Sequence, residues 1–378
     1  MKISFLCFDV SDNSFGRAAL LAEALSKRHS VELIGPARRG SIWPPLKDLN
    51  LPVKLFPWKR YPRFLGVIRD ILDAVEGDVI FACKLRPTSF GIGLLANKNL
   101  PLLVDIDDWE LGFFYRDRTW SRLGKFLNLS NPNGLPYTWV MERLVHRADA
   151  ITVSNRFLQN RFGGELLYHC RDTSQLDPKK YDSLEAKKKL GLEQKKLLMF
   201  LGTPRLHKGV DDLALAVESI KRPDVQLAII GPNPEEVSSG ELWTRPKKKI
   251  SLFPSVPFTK IGEYLAAADI VVVPQRLTND TGGQIPAKIF DAMAMAKPII
   301  STRVSDIPEV LGDCGYLVEP GNVPQLAAAI DNVLTHEDEA RRKGEMARER
   351  CRNLYDIKGL ESQLLSLVEK VAKRKGIA

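Results

Sequence analysis

Apolar residues along this chain come in short runs separated by amphipathic stretches. The first run, ISFLCFDV, has strand length; a polar loop, SDNSFG, leads into RAALLAEALSKR, whose apolar positions recur at helical spacing. SVELIGP then reads as a second strand, and DVIFAC (78–83), PLLVDID (101–107) and DAITVS (149–154) continue the series, with helical patterns between several of them. Such alternation predicts a parallel sheet covered by helices on both faces. The pattern weakens across RDTSQLDPKKYDSLEAKKKLGLEQKK, where a domain boundary is expected. It then restarts with LLMFLG, a helix from Val210 to Ile220, QLAIIGP, a helix from Ile261 to Ala267, DIVVVPQ, PIISTR and YLVEP.

The expected architecture is therefore α/β, with two Rossmann-like, doubly wound domains facing a central cleft. The first spans 1–180, the second 181–355, and residues 356–378 form a C-terminal helix crossing back to the first. Ligands of such sheets bind at the carboxyl ends of the strands.

Composition narrows the class. At 378 residues the chain exceeds one ordinary core, and 44% hydrophobic with 27% charged residues is a globular balance. No apolar run approaches the roughly 20 residues of a spanning helix. MKISFLCFDV reads as a first strand rather than a signal peptide, since no small-residue cleavage site follows it. The five cysteines are widely spaced and odd in number, which argues for a reducing, cytoplasmic setting and against zinc. The formal charge of +9 concerns partners rather than fold, and admits anionic lipid, nucleic acid or a phosphorylated small molecule.

Two segments carry candidate chemistry. In LLMFLGTPRLHKGVDDL a strand runs into Gly202, and the turn brings Arg205 and Lys208 ahead of a helix with Asp211 and Asp212 at its start. Cations beside a glycine turn at a strand's carboxyl end suit a diphosphate, with a solvated basic loop as the alternative. In TGGQIPAKIFDAMAMAKP, Gly282 and Gly283 let backbone approach a ligand. Gln284, Pro286 and Lys288 follow, and a helix from about Ala287 is expected to bury Ile289, Phe290, Met293 and Ala296. Asp291, one turn in, suits sugar hydroxyls or stabilises the helix start.

Taken in order, FLGTPRLHKGVDDL, VQLAIIGP, FTKIGEYLAAADIVVVPQ, IPAKIFDAMAMAKPIIS and IPEVLGDCGYLVEPGN resemble the donor-binding domain of glycosyltransferase family 4, also called group 1, which has the GT-B fold. FGRAALLAEALSKRHSVELI and ADAITVSNRFLQNRFGGELLYHCRDTSQLDP resemble that family's N-terminal half more weakly. The resemblance implies that Arg205 and Lys208 hold the donor diphosphate, and that Asp291 stands at the second of a pair of glutamates, the one that meets the ribose. Gly283 stands where the first glutamate is expected, with Asn279 and Asp280 nearby in the same loop. Gln284 to Lys288 then supply backbone and cationic contacts to the phosphates.

In the first half, LLVDIDDWE ends a strand with Asp105, Asp107 and Asp108. Asp107 is the register match to a family histidine near the reacting centre, and is the catalytic candidate. Asp105 and Asp107 also look like the metal-binding pair of single-domain glycosyltransferases, but no metal is expected here. Gly16 is expected to let first-domain backbone approach the phosphates.

The stretch LFPWKRYPRFLGVIRD interleaves Phe56, Trp58, Tyr61 and Phe64 with Lys59, Arg60 and Arg63. It suits anionic lipid, an acceptor, or a loop packed on the first domain. Arg245, Lys247, Lys248, Lys249 and the tail near Lys375 read as solvated faces.

The expected function is a retaining, metal-independent, cofactor-free glycosyltransferase. Its partners would be a nucleotide-sugar donor, a glycan, lipid-linked or small-molecule acceptor, and an anionic face at the inner membrane. The alternatives are a nucleotide-sugar epimerase of the same fold and a nucleotide-sugar-binding protein without turnover. No nucleic-acid recognition module is visible.

Overall fold

The computed structural model describes residues 1–97, 99–115, 124–231 and 248–377. The chain divides into two compact units, Met1–His169 with Ile357–Ala378, and Cys170–Asp356.

The first unit is built on a seven-stranded parallel sheet of β1 (Lys2–Cys7), β2 (Ser30–Ala37), β3 (Val53–Pro57), β4 (Val79–Cys83), β5 (Leu102–Ile106), β6 (Ala150–Val153) and β7 (Glu165–Leu166). Their order is β3-β2-β1-β4-β5-β6-β7, so the winding reverses between β1 and β4. The inner strands β1, β4 and β5 read as near-continuous apolar runs because both faces are covered. Val79, Ile80, Phe81 and Ala82 are buried, as are Leu102, Leu103 and Val104. The helix Phe15–Ser26 buries Phe15, Ala18, Leu21, Ala22 and Leu25, and the helix Ile357–Arg374 belongs to this same unit. Lys27 pairs with Glu361 at 2.7 Å between the two.

The second unit has a six-stranded parallel sheet of β8 (Lys196–Leu201), β9 (Val225–Ile230), β10 (Ile250–Phe253), β11 (Ile270–Val273), β12 (Ile299–Thr302) and β13 (Tyr316–Val318). The order β10-β9-β8-β11-β12-β13 reverses between β8 and β11. Its core joins Leu198, Phe200, Leu227, Ile229 and Val272 to Leu213, Val217 and Ile330.

Two features differ from the sequence reading. The division falls after His169, not after residue 180, because the intervening segment is tied into the second unit. Thr173 bonds Asp356, and the Arg348 guanidinium donates to the Leu176 carbonyl at 2.8 Å. Ala296 is half-buried with φ 52°, since the helix ends at Ala294. The helix Glu337–Leu354 crosses there so closely that a Cβ on Gly344 would lie 2.3 Å from the Ala296 carbonyl oxygen.

The aromatic and basic stretch 55–70 divides into the end of β3, a turn, and the helix Phe64–Asp73. Its rings are packed rather than open: Tyr61 lies edge-on to Phe64 at 5.8 Å and 5.3 Å from Tyr137, and Arg38 covers Trp58 at 4.5 Å. Lys248 and Lys249 are described, whereas Arg245 and Lys247 lie outside the described residues.

Candidate functional site

In the second unit, β8 is followed directly by Gly202 on the carboxyl edge, at the strand where the winding reverses. Gly202 has φ 109°, and a Cβ there would lie 3.2 Å from Lys288 Nζ and 3.7 Å from Lys208 Nζ. Two ammonium groups from distant segments thus converge on one glycine.

Lys208 is delivered by a 3-10 turn, Leu206–Lys208, closed by Gly209 in the left-handed region at φ 64°. Only glycine fits there, since a Cβ would stand 1.9 Å from the Pro274 carbonyl oxygen. The turn is fixed from below by Arg276, whose guanidinium grips Asp212 at 2.7 and 2.5 Å and whose amide donates to His207 at 2.9 Å. Lys208 Nζ donates to the Thr203 carbonyl at 3.1 Å, and Arg205 is exposed at the head of the turn.

Lys288 opens the helix Lys288–Ala294 and lies half-buried with Nζ 4.2 Å from the Phe200 ring centroid. Among the described residues its ammonium has no hydrogen-bonding or ion-pair partner. Burial, then the neighbouring Lys208, push its pKa well below the ordinary lysine range; Asp291 acts in the opposite sense, and Arg205 adds to the depression. A cation held at this cost is one that an anion would relieve.

The loop before it is internally bonded. Gly283 N–H donates to Asp280 O at 3.0 Å, Gln284 N–H to Thr281 O at 3.2 Å, and Ser305 Oγ to Gly282 O at 2.8 Å. Pro286 stands two residues before the helix, and its carbonyl accepts from Ile289 N–H at 3.1 Å. Asp280 is buried and accepts from Thr278 Oγ1 at 2.8 Å.

Asp291 is buried, and both of its carboxylate oxygens meet the Arg171 guanidinium, Oδ2 at 3.2 Å from Nη2. Arg171 also donates to the Ala287 carbonyl at 3.3 Å. The sequence reading did not single out Arg171, whose only signal is a charged residue just after a cysteine that begins this unit.

The carboxyl edge of the first sheet is organised differently. Asp107, just beyond β5, is 2.7 Å from Lys84 Nζ, which also meets Asp108 at 2.5 Å and Glu110 at 3.1 Å. Lys84 directly follows β4, is buried, and has φ 76°. Burial opposes its charge, but Asp107, Asp108 and Glu110 outweigh that and hold the ammonium well above the usual range. Asp107 is itself raised to about 7: burial dominates, Lys84 opposes it, and Asp108 and Asp105 add repulsion.

Arg86 bonds Glu110 at 2.7 Å and Thr138 Oγ1 at 2.8 Å. Arg17 grips Asp105 at 3.1 and 3.0 Å and the Leu167 carbonyl at 2.8 Å. Asp107, Asp108 and Glu110 would fit around a cation, and the Lys84 ammonium already meets all three. Lys84 and Arg86 were not anticipated, although the quoted run DVIFAC is followed at once by KLR. Gly16 lies in the first turn of the helix Phe15–Ser26 and donates its N–H to Asn13 O at 3.2 Å.

Two all-parallel, doubly wound sheets with helices on their faces define the GT-B class of fold. Solved structures bear this out. Sucrose-phosphate synthase of Thermosynechococcus elongatus matches with a TM-score of 0.72 at 17% identity, covering 99% of this chain and 100% of that one. HepE of Anabaena, solved with UDP-glucose, matches with a TM-score of 0.76 at 16% identity, over 98% and 100%.

Residues 195–336 match the family described as Glycosyl transferases group 1, the family recognised from the ordered motifs. N-acetyl-alpha-D-glucosaminyl L-malate synthase of Bacillus anthracis is 29% identical over 236 residues, 60% of this chain and 57% of that protein. Alpha-maltose-1-phosphate synthase of Mycolicibacterium smegmatis is 30% identical over 200 residues, 47% and 48%. The chain spans about half the length of the curated relatives it matches.

Proposed function

We propose that the protein is a glycosyltransferase that moves a sugar from a nucleoside-diphosphate donor to an acceptor hydroxyl. The observation that carries this reading is the convergence of Lys208 and Lys288 on Gly202, at the reversal point of the family-matching sheet. The names of the relatives support sugar transfer, and the UDP and UDP-glucose complexes of HepE support a nucleotide-sugar donor.

In this reading the bond between the anomeric carbon and the donor phosphate oxygen breaks with retention as the bond to the acceptor oxygen forms. The departing diphosphate gains charge, which Lys208, Lys288 and Arg205 stabilise without need of a metal. Gly283, Gln284 and Pro286 shape the wall beside the phosphates. Asp291, with its carboxylate oriented by Arg171, keeps lone pairs for the ribose hydroxyls. Asp107 orients the acceptor hydroxyl or takes its proton, and backbone at Gly16 contributes to donor binding. The acceptor is a glycan, a lipid-linked sugar or a small molecule.

No described helix is long and apolar enough to cross a membrane. The excess of nine positive charges supports contact with an anionic membrane face, and the five buried, widely spaced cysteines support a cytoplasmic setting.

The test is thermal stabilisation by UDP and GDP with and without chelator. Stabilisation that survives chelator and falls at least about tenfold in apparent affinity in Arg205→Ala and Lys208→Ala supports the donor site. No response to any nucleoside diphosphate would sink it. Product formation across a panel of nucleotide sugars then separates a transferase from an inert binder, the alternative that Gly283 motivates.

A further inference from the structure

Three segments of the first unit that are separate in sequence are bonded into one surface. Tyr61 N–H donates to the Ser130 carbonyl at 2.9 Å, and Tyr137 Oη donates to the Leu129 carbonyl at 2.8 Å. The Tyr61 and Tyr137 rings are 5.3 Å apart. These contacts gather the turn before the helix Phe64–Asp73, the segment 124–130 and the helix Leu135–Leu144.

That surface exposes large apolar side chains where burial would be expected. Leu65 is 60% exposed, Leu127 68% and Leu129 58%, with Phe126, Trp139 and Val140 also exposed. Leu65 is turned out while Phe64, Val67 and Ile71 of the same helix are buried in the core. Isolated exposed leucines need no explanation, but several tied together do.

Cations predominate around them, the nearest carboxylates being Asp70 and Asp73 in the last turn of the helix Phe64–Asp73 and Glu142, which pairs with Arg161. Residues 58–69, WKRYPRFLGVIR, contain Lys59, Arg60, Arg63 and Arg69 and no carboxylate; residues 124–141 contain Lys125 and no carboxylate. All five are exposed. Arg143 adds a sixth cation, with its guanidinium 3.3 Å from the centroid of the Trp139 ring. Cations interleaved with exposed leucine and aromatic side chains match a surface that is negative outside and apolar just beneath.

We infer that this face of the first unit docks on an anionic phospholipid bilayer, with Leu65, Phe126, Leu127 and Leu129 entering the headgroup boundary and Lys59, Arg60, Arg63 and Lys125 meeting lipid phosphates. It locates the membrane contact suggested by net charge on particular residues. An acidic protein partner would use the cations but has no need of the leucines, and a neutral apolar partner would leave the cations unmatched.

Vesicle sedimentation tests it on the full chain, using phosphatidylcholine alone and phosphatidylcholine with phosphatidylglycerol. The wild type should pellet with the anionic vesicles only, and less at high salt. Arg60→Glu with Arg63→Glu should weaken pelleting at least about tenfold. Leu127→Ser with Leu129→Ser should weaken it without changing its dependence on salt.

Thermal stabilisation by UDP should be unchanged in both variants, which shows them folded and keeps the two proposals separate. Loss of UDP binding in the wild type with vesicle binding intact would overturn the donor site alone. Failure of the wild type to pellet with anionic vesicles, equal pelleting with neutral ones, or wild-type pelleting of either variant would overturn the docking surface.

Discussion

The two sheets wind alike, yet their carboxyl edges are charged in opposite styles. In the first unit every prominent cation at the edge faces carboxylates: Lys84 meets Asp107, Asp108 and Glu110, Arg86 meets Glu110, and Arg17 meets Asp105. In the second, Lys288 is lodged against a phenylalanine ring and a glycine, with Lys208 as its neighbour and no carboxylate in ion-pair range among the described residues. Fold alone therefore does not make a site. The first edge neutralises itself and holds a fixed shape; the second pairs Arg171 with Asp291 and Arg276 with Asp212 but leaves the Lys288 ammonium without a carboxylate partner among the described residues.

Lys84→Met attacks the self-neutralised edge. It leaves three buried or half-buried carboxylates without their common cation, and breaking such a pair costs about 3–5 kcal/mol. Chemical denaturation should show that loss, while the affinity for UDP, which reads the other unit, stays within about twofold of wild type. Near-normal stability would mean that the carboxylates can rearrange, and that the edge is less fixed than its contacts suggest.

Lys288→Met should give the mirror image. If Lys288 meets the donor phosphates as proposed, its removal should lower kcat/KM by about 10²–10³-fold, as for loss of one preorganised donor. Folding stability should rise, because a desolvated ammonium repelled by Lys208 has been removed. The sign follows from linkage: the folded pKa lies below the unfolded value, so between them the unfolded chain binds more protons and stability increases with pH. The variant should lose that increase. A variant that is both active and less stable would reverse the assignment of this edge.

How much of this was legible in the sequence follows from the same contrast. The strands were visible as apolar runs because parallel strands are buried on both faces, and the edge strand β3 was missed because it is half-exposed, with Leu55 43% exposed. The glycine turn with Arg205 and Lys208 is local, so spacing alone revealed it. The meeting of Lys208 with Lys288 depends on β8 and β11 lying side by side, which no local pattern encodes. The Arg171–Asp291 pair and the Lys84 cluster are hidden for the same reason, joining residues 120 and at least 23 positions apart. Asp107 was found through resemblance, but its partner Lys84 was not, since the resemblance was weakest in that half.

The smallest expected effect concerns Asp107 itself. Burial raises its pKa to about 7, with Lys84 opposing and Asp108 and Asp105 assisting. Its folded value thus exceeds its unfolded value, near 3.9. Between about pH 4 and 7 the native state binds more protons than the unfolded one, so this carboxyl's contribution to stability declines as pH rises through that window. Asp107→Asn should flatten the decline, by an amount that the rearrangement of Lys84 toward Asp108 and Glu110 will reduce.

Activity supplies the second arm. If Asp107 takes the acceptor proton, kcat/KM should rise with pH around 7 in the wild type, and the rise should vanish in Asp107→Asn. If it only orients the acceptor hydroxyl, the variant should raise KM while leaving the shape of the pH profile alone. A variant that changes the stability profile but neither kinetic quantity would reduce Asp107 to one more member of the self-neutralised edge.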